Sequence, residues 1–139
     1  ADSLNQSAYA GLIFLYQQQW NKISSLLKRS PLTQKEKTEL VRNRGLELLE
    51  ENEHQQALQL FQTYFNLYPT SADAQYLFGL YYHILGNKPM ALEHFTLCFK
   101  KIKLSKSPYL MEMIQSEDKL TELLKTTRYK ELYKTYFPK

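Results

Sequence analysis

The sequence predicts an all-α fold built from antiparallel helix-turn-helix units, and three observations carry that expectation. Apolar residues recur every three or four positions along much of the chain, as in Tyr9, Leu12, Ile13 and Tyr16. Four Gly and five Pro in 139 residues, with no alternating β-branched runs, are too few turn signals for an all-β fold. Finally, Gly11, Gly45 and Gly79 stand 34 residues apart, and neighbouring apolar and small residues recur at the same interval, which is a period of stacked helical repeats.

The first helix carries the Tyr9 to Tyr16 stripe, and the second carries Trp20, Ile23, Leu26 and Leu27 until Ser30-Pro31 stops it. Thr33 with Glu36 makes a capping box that opens a helix through Val41, Leu48 and Leu49. Glu50-Glu51-Asn52 turns the chain into a helix with Ala57, Leu58, Phe61 and Phe65, which Pro69 ends. Ser71 caps a helix through Phe78, Tyr82 and Leu85, Gly86-Asn87 stops it, and Pro89 fits an early position of the helix through Phe95 and Ile102. Ser107-Pro108 and Ser116 read as two further starts. The last stretch runs through Leu120, Leu123 and Leu124 to Tyr129, Leu132, Tyr133 and Tyr136.

A glycine inside a helix costs about 0.8–1 kcal/mol relative to alanine, so three at regular positions need a packing reason. Close helix approach supplies one. Without a Cβ, Gly45 and Gly79 let the second helix of each pair lie against the first, where Ala57 and Ala91 offer similarly little bulk. A methyl group could be tolerated there, but a large side chain could not.

On these residues the chain resembles the tetratricopeptide repeat family, and the small bacterial members in particular. Residues 38–71 supply Gly45, Leu48, Ala57, Phe61 and Pro69 where that family places its small residue, large apolar residue, alanine, aromatic and proline. Residues 72–105 supply Gly79, Tyr82, Ala91 and Phe95, with Lys103 in place of the proline and Cys98 at a second small-residue position that Tyr64 fills in the preceding repeat. Residues 4–37 form a degenerate N-terminal repeat that keeps Gly11 and Phe14 but has Ile23, Leu27 and Lys35 elsewhere. Residues 106–139 read as a degenerate C-terminal repeat and capping helix, with Met113 and Lys125 replacing the small residues and Tyr129 at the aromatic position. The resemblance implies one domain over 1–139, its helix pairs stacked as a right-handed α-solenoid.

In this family the first helix of each pair lines a concave groove. Carried onto this sequence, the groove comprises Leu12 and Leu15, then Glu39, Arg42, Leu46 and Leu49, then Asp73, Tyr76, Leu80 and His83, and finally Leu110 and Ile114. A mostly apolar groove with a few polar points suits an amphipathic helix or an extended segment with apolar anchors. The competing expectation is that the chain's own terminal helix fills part of it. The cation-and-Asn clamp that some members use for the carboxyl tails of heat-shock chaperones is not matched. With residues 38–71 taken first, Arg42 fits, but Leu46, Leu77, Ser107 and Met111 do not. With 4–37 first, Asn43 fits, but Ala8, Leu12, Asp73 and Leu77 do not. Carboxylate-clamp chaperone tails are therefore disfavoured as partners.

Little in the sequence points to catalysis, and the chain reads as a non-enzyme without metal or cofactor. His94 and Cys98 share a helix face at four-residue spacing, but two ligands fall short of the three or four a zinc site needs. Cys98, at a family packing position, reads as buried and inert, and a lone cysteine makes no internal disulfide. The glycines are too widely spaced for a phosphate-cradling loop. Glu117-Asp118 suits a helix N-terminus and Glu50-Glu51 a solvated turn.

The net charge of +4 is unevenly spread. Residues 1–44 carry seven Lys and Arg against three acids, residues 45–97 carry Lys88 against six acids, and residues 98–139 carry ten against five. The basic ends and the Arg128-Tyr129-Lys130 and Tyr133-Lys134-Thr135-Tyr136-Phe137 runs could serve a single-stranded nucleic acid. Solvated faces and a capped last repeat explain them more simply, so nucleic acid is disfavoured. No run of 18 apolar residues exists, which argues against membrane insertion. Cysteine usage favours the cytoplasm, with a bacterial periplasm as the alternative, Ala1-Asp2-Ser3 then being a cleaved start. The expected function is protein–protein interaction, as an adaptor, scaffold or chaperone-like module, with a homo-oligomeric structural module as the alternative.

Overall fold

The computed structural model describes residues 3–105 and 108–138, and side chains over 6–104 and 109–138. Every regular element among them is helical. The chain forms two compact units, 1–69 and 70–139, dividing near the end of the 38–71 repeat. Ala1-Asp2 and the expected start at Ser107 lie outside the described residues.

The first unit holds α1 (Ser3–Tyr16), α2 (Trp20–Arg29), α3 (Gln34–Glu50) and α4 (His54–Leu67). Helix α1 packs on α2 and α3, and α4 packs on α2 and α3. The capping box opens α3 as expected: the Glu36 N–H donates to Thr33 Oγ1 at 3.2 Å, and the Thr33 N–H donates to Glu36 Oε1 at 2.9 Å. Ile13, Ile23, Leu27, Val41, Ala57 and Phe61 make the core, each at most 1% exposed.

The second unit holds α5 (Ala72–Ile84), α6 (Lys88–Ser105), α7 (Pro108–Ser116), a 3-10 turn (Asp118–Leu120), α8 (Thr121–Leu124) and α9 (Thr127–Tyr136). Helix α5 packs chiefly on α6 and also meets α7 and the 3-10 turn, while α9 packs on α6 and α8. Ser71 Oγ accepts from the Ala74 N–H at 3.1 Å and caps α5. Two sequence expectations change here. Ser116 ends α7, its hydroxyl donating back to the Met113 carbonyl, and Glu117 instead caps the 3-10 turn by accepting from the Lys119 N–H. The last stretch breaks at Lys125-Thr126, because Thr126 Oγ1 accepts from the Tyr129 N–H and starts a new helix.

The 34-residue period reappears in backbone detail at the two complete hairpins, α3–α4 and α5–α6. Asn52 and Gly86, 34 apart, both take the left-handed conformation, with φ of 63° and 81°. Behind each, the next N–H reaches back five residues: Glu53 to the Leu48 carbonyl at 2.8 Å, and Asn87 to the Tyr82 carbonyl at 2.9 Å. This is the hydrogen-bond pattern that satisfies the last carbonyls of a helix ending in a left-handed residue. Glycine adopts that conformation without strain, and asparagine is the side chain that tolerates it best.

The close approach at the glycines is tighter than the sequence suggests. A Cβ on Gly45 would overlap the Phe61 ring, and one on Gly79 would stand 2.7 Å from Phe95 Cε2. Both rings are fully buried, so even a methyl group displaces a core aromatic. At Gly11 the same added atom meets nothing within 4 Å. The first rung of the ladder thus lacks the contact that gives the other two their purpose.

Candidate interaction surfaces

The residues expected to line the groove fall into two groups. In the first unit they keep access to solvent: Leu15 is 68% exposed, and Leu12, Glu39, Arg42 and Leu46 are half-buried, while Leu49 is buried. Leu12 and Leu15 come from α1 and the others from α3, two helices in contact. Arg42 donates from Nε and Nη2 to Asn43 Oδ1, both at 3.1 Å, which steadies its guanidinium along the α3 surface. The exposed and half-buried apolar residues Leu12, Leu15 and Leu46 thus lie on the same two helices as Arg42 and Glu39.

In the second unit most of the expected residues lie inside. Tyr76, Leu80, Leu110 and Ile114 are 0% exposed, and Asp73 is 2% exposed. Helix α7 carries Leu110 and Ile114 against α5, so these two leucine and isoleucine side chains serve the core of the unit. Asp73 is held by the Tyr109 hydroxyl, which donates to its Oδ2 at 2.8 Å. His83 alone stays half-buried. Burial lowers its pKa from the ordinary 6.5, and a hydrogen bond with the Lys119 backbone opposes that shift.

His94 and Cys98 do not assemble a reactive pair. The His94 ring stacks on Tyr82 with centroids 5.5 Å apart, and its Nδ1 is 2.7 Å from Gln75 Oε1. Cys98 is fully buried, and that burial raises its thiol well above its ordinary value, with the Asp73 charge adding to the effect. A protonated, inaccessible thiol is a poor nucleophile. Among the described residues, no three His, Cys, Asp or Glu side chains come together as metal ligands would. No helix among them is long and apolar enough to cross a membrane.

Two clefts were not among the sequence expectations. One, of about 410 Å³, lies between α1 and α3, where Gly11, Ala10 and Phe14 face Leu40 and Arg44. The Arg44 guanidinium sits over the Phe14 ring at 4.7 Å and pairs with Glu47 at 3.0 Å. The other, of about 470 Å³, is lined by Gln115, Leu124, Tyr129, Lys130, Tyr133 and Lys134. Its aromatic wall is anchored in the core, since Phe99 meets the edges or faces of Tyr129, Tyr133 and Phe137 at 5.4–6.2 Å. The four-residue spacing of Tyr129 with Tyr133 and of Lys130 with Lys134 was the sequence signal for this cleft. Leu124 belongs to the same stretch of sequence, whereas Gln115 comes from α7 and could not be read from that stretch.

Compared with known proteins, the sequence matches no family model, no curated protein and no solved structure.

Proposed function

We infer that this chain is a helical-repeat module for protein–protein interaction and not an enzyme, and that it engages a peptide or helix of its partner on the α1–α3 face. The observation that carries this reading is the exposed Leu15 on α1, together with half-buried Leu12 on the same helix and Leu46, Arg42 and Glu39 on α3, which α1 contacts. Apolar side chains open to water on adjoining helices suit an amphipathic helix or an extended segment with apolar anchors. The repeated Gly45–Phe61 and Gly79–Phe95 contacts support a tetratricopeptide-like design, in which stacked pairs offer their first helices to a ligand. On this reading the binding residues are Leu12, Leu15, Glu39, Arg42 and Leu46, and the buried residues of the second unit act as support.

The test is affinity capture from the native host with the unaltered chain, with Leu15→Asp and with Arg42→Glu, against Lys100→Glu at an exposed position of α6 as control. Loss of the same specific partner with the first two variants, and its retention with the third, is the expected result. Capture of the same partner by all four chains would overturn the reading.

A further inference from the structure

We propose that the cleft between α7, α8 and α9 is a second, separate docking site, and that it takes an acidic peptide segment bearing one large apolar side chain. It is an open groove of about 470 Å³, large enough to seat one bulky side chain of a bound segment. Leu124, Tyr129 and Tyr133 supply an apolar wall, and Lys130 and Lys134 stand exposed one helical turn apart at its rim. No carboxylate lines it, although Glu112, Glu117, Glu122 and Glu131 occupy the neighbouring segments. An apolar anchor would enter the cleft while flanking Asp or Glu side chains meet the two ammonium groups. Lysines suit that role, because each is a mobile point charge that tolerates a range of carboxylate positions.

The same aromatic and cationic residues could suggest a single-stranded nucleic acid, but the ring geometry favours the peptide. Base stacking needs an open ring face. Tyr129 is 5% exposed, and its ring plane lies at 74° to Phe99 with centroids 5.8 Å apart. Tyr133 meets Phe99 at 90° and lies 5.3 Å from Phe137. The rings are walls built into the core rather than platforms. The site is independent of the α1–α3 face, which shares none of its residues.

Fluorescence anisotropy with the full chain tests the proposal. The probe is a fluorescein-labelled peptide with one Phe between Asp-Glu pairs. Controls replace its Phe by Ala or its acids by Lys, and a labelled oligothymidylate is titrated in parallel. The acidic Phe peptide binds saturably, and the controls bind at least tenfold more weakly. The double variant Lys130→Glu/Lys134→Glu weakens binding about tenfold, as expected for two exposed ion pairs. Gln115 is exposed, so Gln115→Trp plugs the cleft without disturbing the core and abolishes binding. Leu15→Asp leaves binding unchanged, so failure of the α1–α3 reading and failure of this one are distinguishable. The proposal is overturned if the acidic peptide does not bind, if it binds the folded Gln115→Trp variant equally well, or if the oligothymidylate binds more tightly. Concentration-dependent self-association that Gln115→Trp removes would overturn it in favour of a second copy.

Discussion

The hairpins α3–α4 and α5–α6 share a Gly–Phe contact, a left-handed turn residue and a buried alanine, each offset by 34 residues, yet their first helices have opposite fates. Along α3, Glu39, Arg42 and Leu46 remain partly open to water, whereas α5 is buried at every position from Ala72 to Tyr81. The period therefore governs how the two helices of a pair meet, through one face of each. What covers the other face of the first helix is set by elements outside the repeat. In the second unit α7 and the 3-10 turn pack on α5.

The largest test of that difference is a pair of leucine truncations at repeat-equivalent positions. Leu80→Ala removes a side chain with no exposure and is expected to cost about 2–5 kcal/mol, whereas Leu46→Ala, half-buried, costs about 1 kcal/mol or less. Urea unfolding followed by far-UV circular dichroism measures both. Equal losses would mean that the two first helices are covered alike.

The glycine ladder allows a sharper comparison, because the effects should differ in sign. Gly45→Ala gains about 0.8–1 kcal/mol of helix propensity but forces the buried Phe61 ring aside, and overpacking of that kind costs about 1–3 kcal/mol. A net loss is expected. Gly11→Ala meets no atom and should stabilise by nearly the full propensity gain. Stabilisation by both substitutions would remove close approach as the reason for the period.

Much of this architecture was legible because it is local. The helices, the Thr33–Glu36 box, the Ser71 cap, the stop at Gly86 and the close helix approach at Gly45 and Gly79 all follow from spacings within one or two turns or one repeat, although the groups that meet the glycines are Phe61 and Phe95 and not the small Ala57 and Ala91. The break at Lys125-Thr126 was missed because apolar spacing runs across it, and only the Thr126 side-chain bond reveals the new start. The burial of Tyr76, Leu80, Leu110 and Ile114 was left open between an exposed groove and one filled by the chain's own helix, for a different reason. Family register says which way a side chain points from its helix, but not whether a later helix of the same chain stands in front of it.

Tyr64 and Tyr129 compare hydroxyls that differ in their partners. Tyr64 takes the position that Cys98 takes one repeat later, and it is fully buried because α3 provides for its oxygen: Thr38 Oγ1 lies 2.8 Å away, and Gln34 Nε2 also donates to it. In the next repeat Ala72 replaces Thr38 as Cys98 replaces Tyr64, so the polar pair is exchanged as a unit. The Tyr129 hydroxyl is buried without a hydrogen-bond partner among the described residues. Tyr64→Phe should therefore destabilise by about 1 kcal/mol, and Tyr129→Phe should be neutral or stabilising by up to about 1 kcal/mol. A loss at Tyr129→Phe matching that at Tyr64→Phe would contradict this assignment.

The smallest expected effect separates the two units by pH. His83 and His94, both in 70–139, have pKa values lowered from 6.5, chiefly by burial. Each binds a proton less readily folded than unfolded, so the unfolded chain takes up more protons as the pH drops through that interval. Their contribution to stability is complete above 6.5 and is lost as the pH falls through the lowered folded values. Trp20, the only tryptophan, sits in α2 and reports on the first unit, whereas circular dichroism reports on both. Between pH 7.5 and pH 5 the dichroism midpoint should fall more than the tryptophan midpoint, and His94→Gln should reduce the gap. Midpoints that move together would show that the two units unfold as one, and the contrast between them would then belong to packing alone.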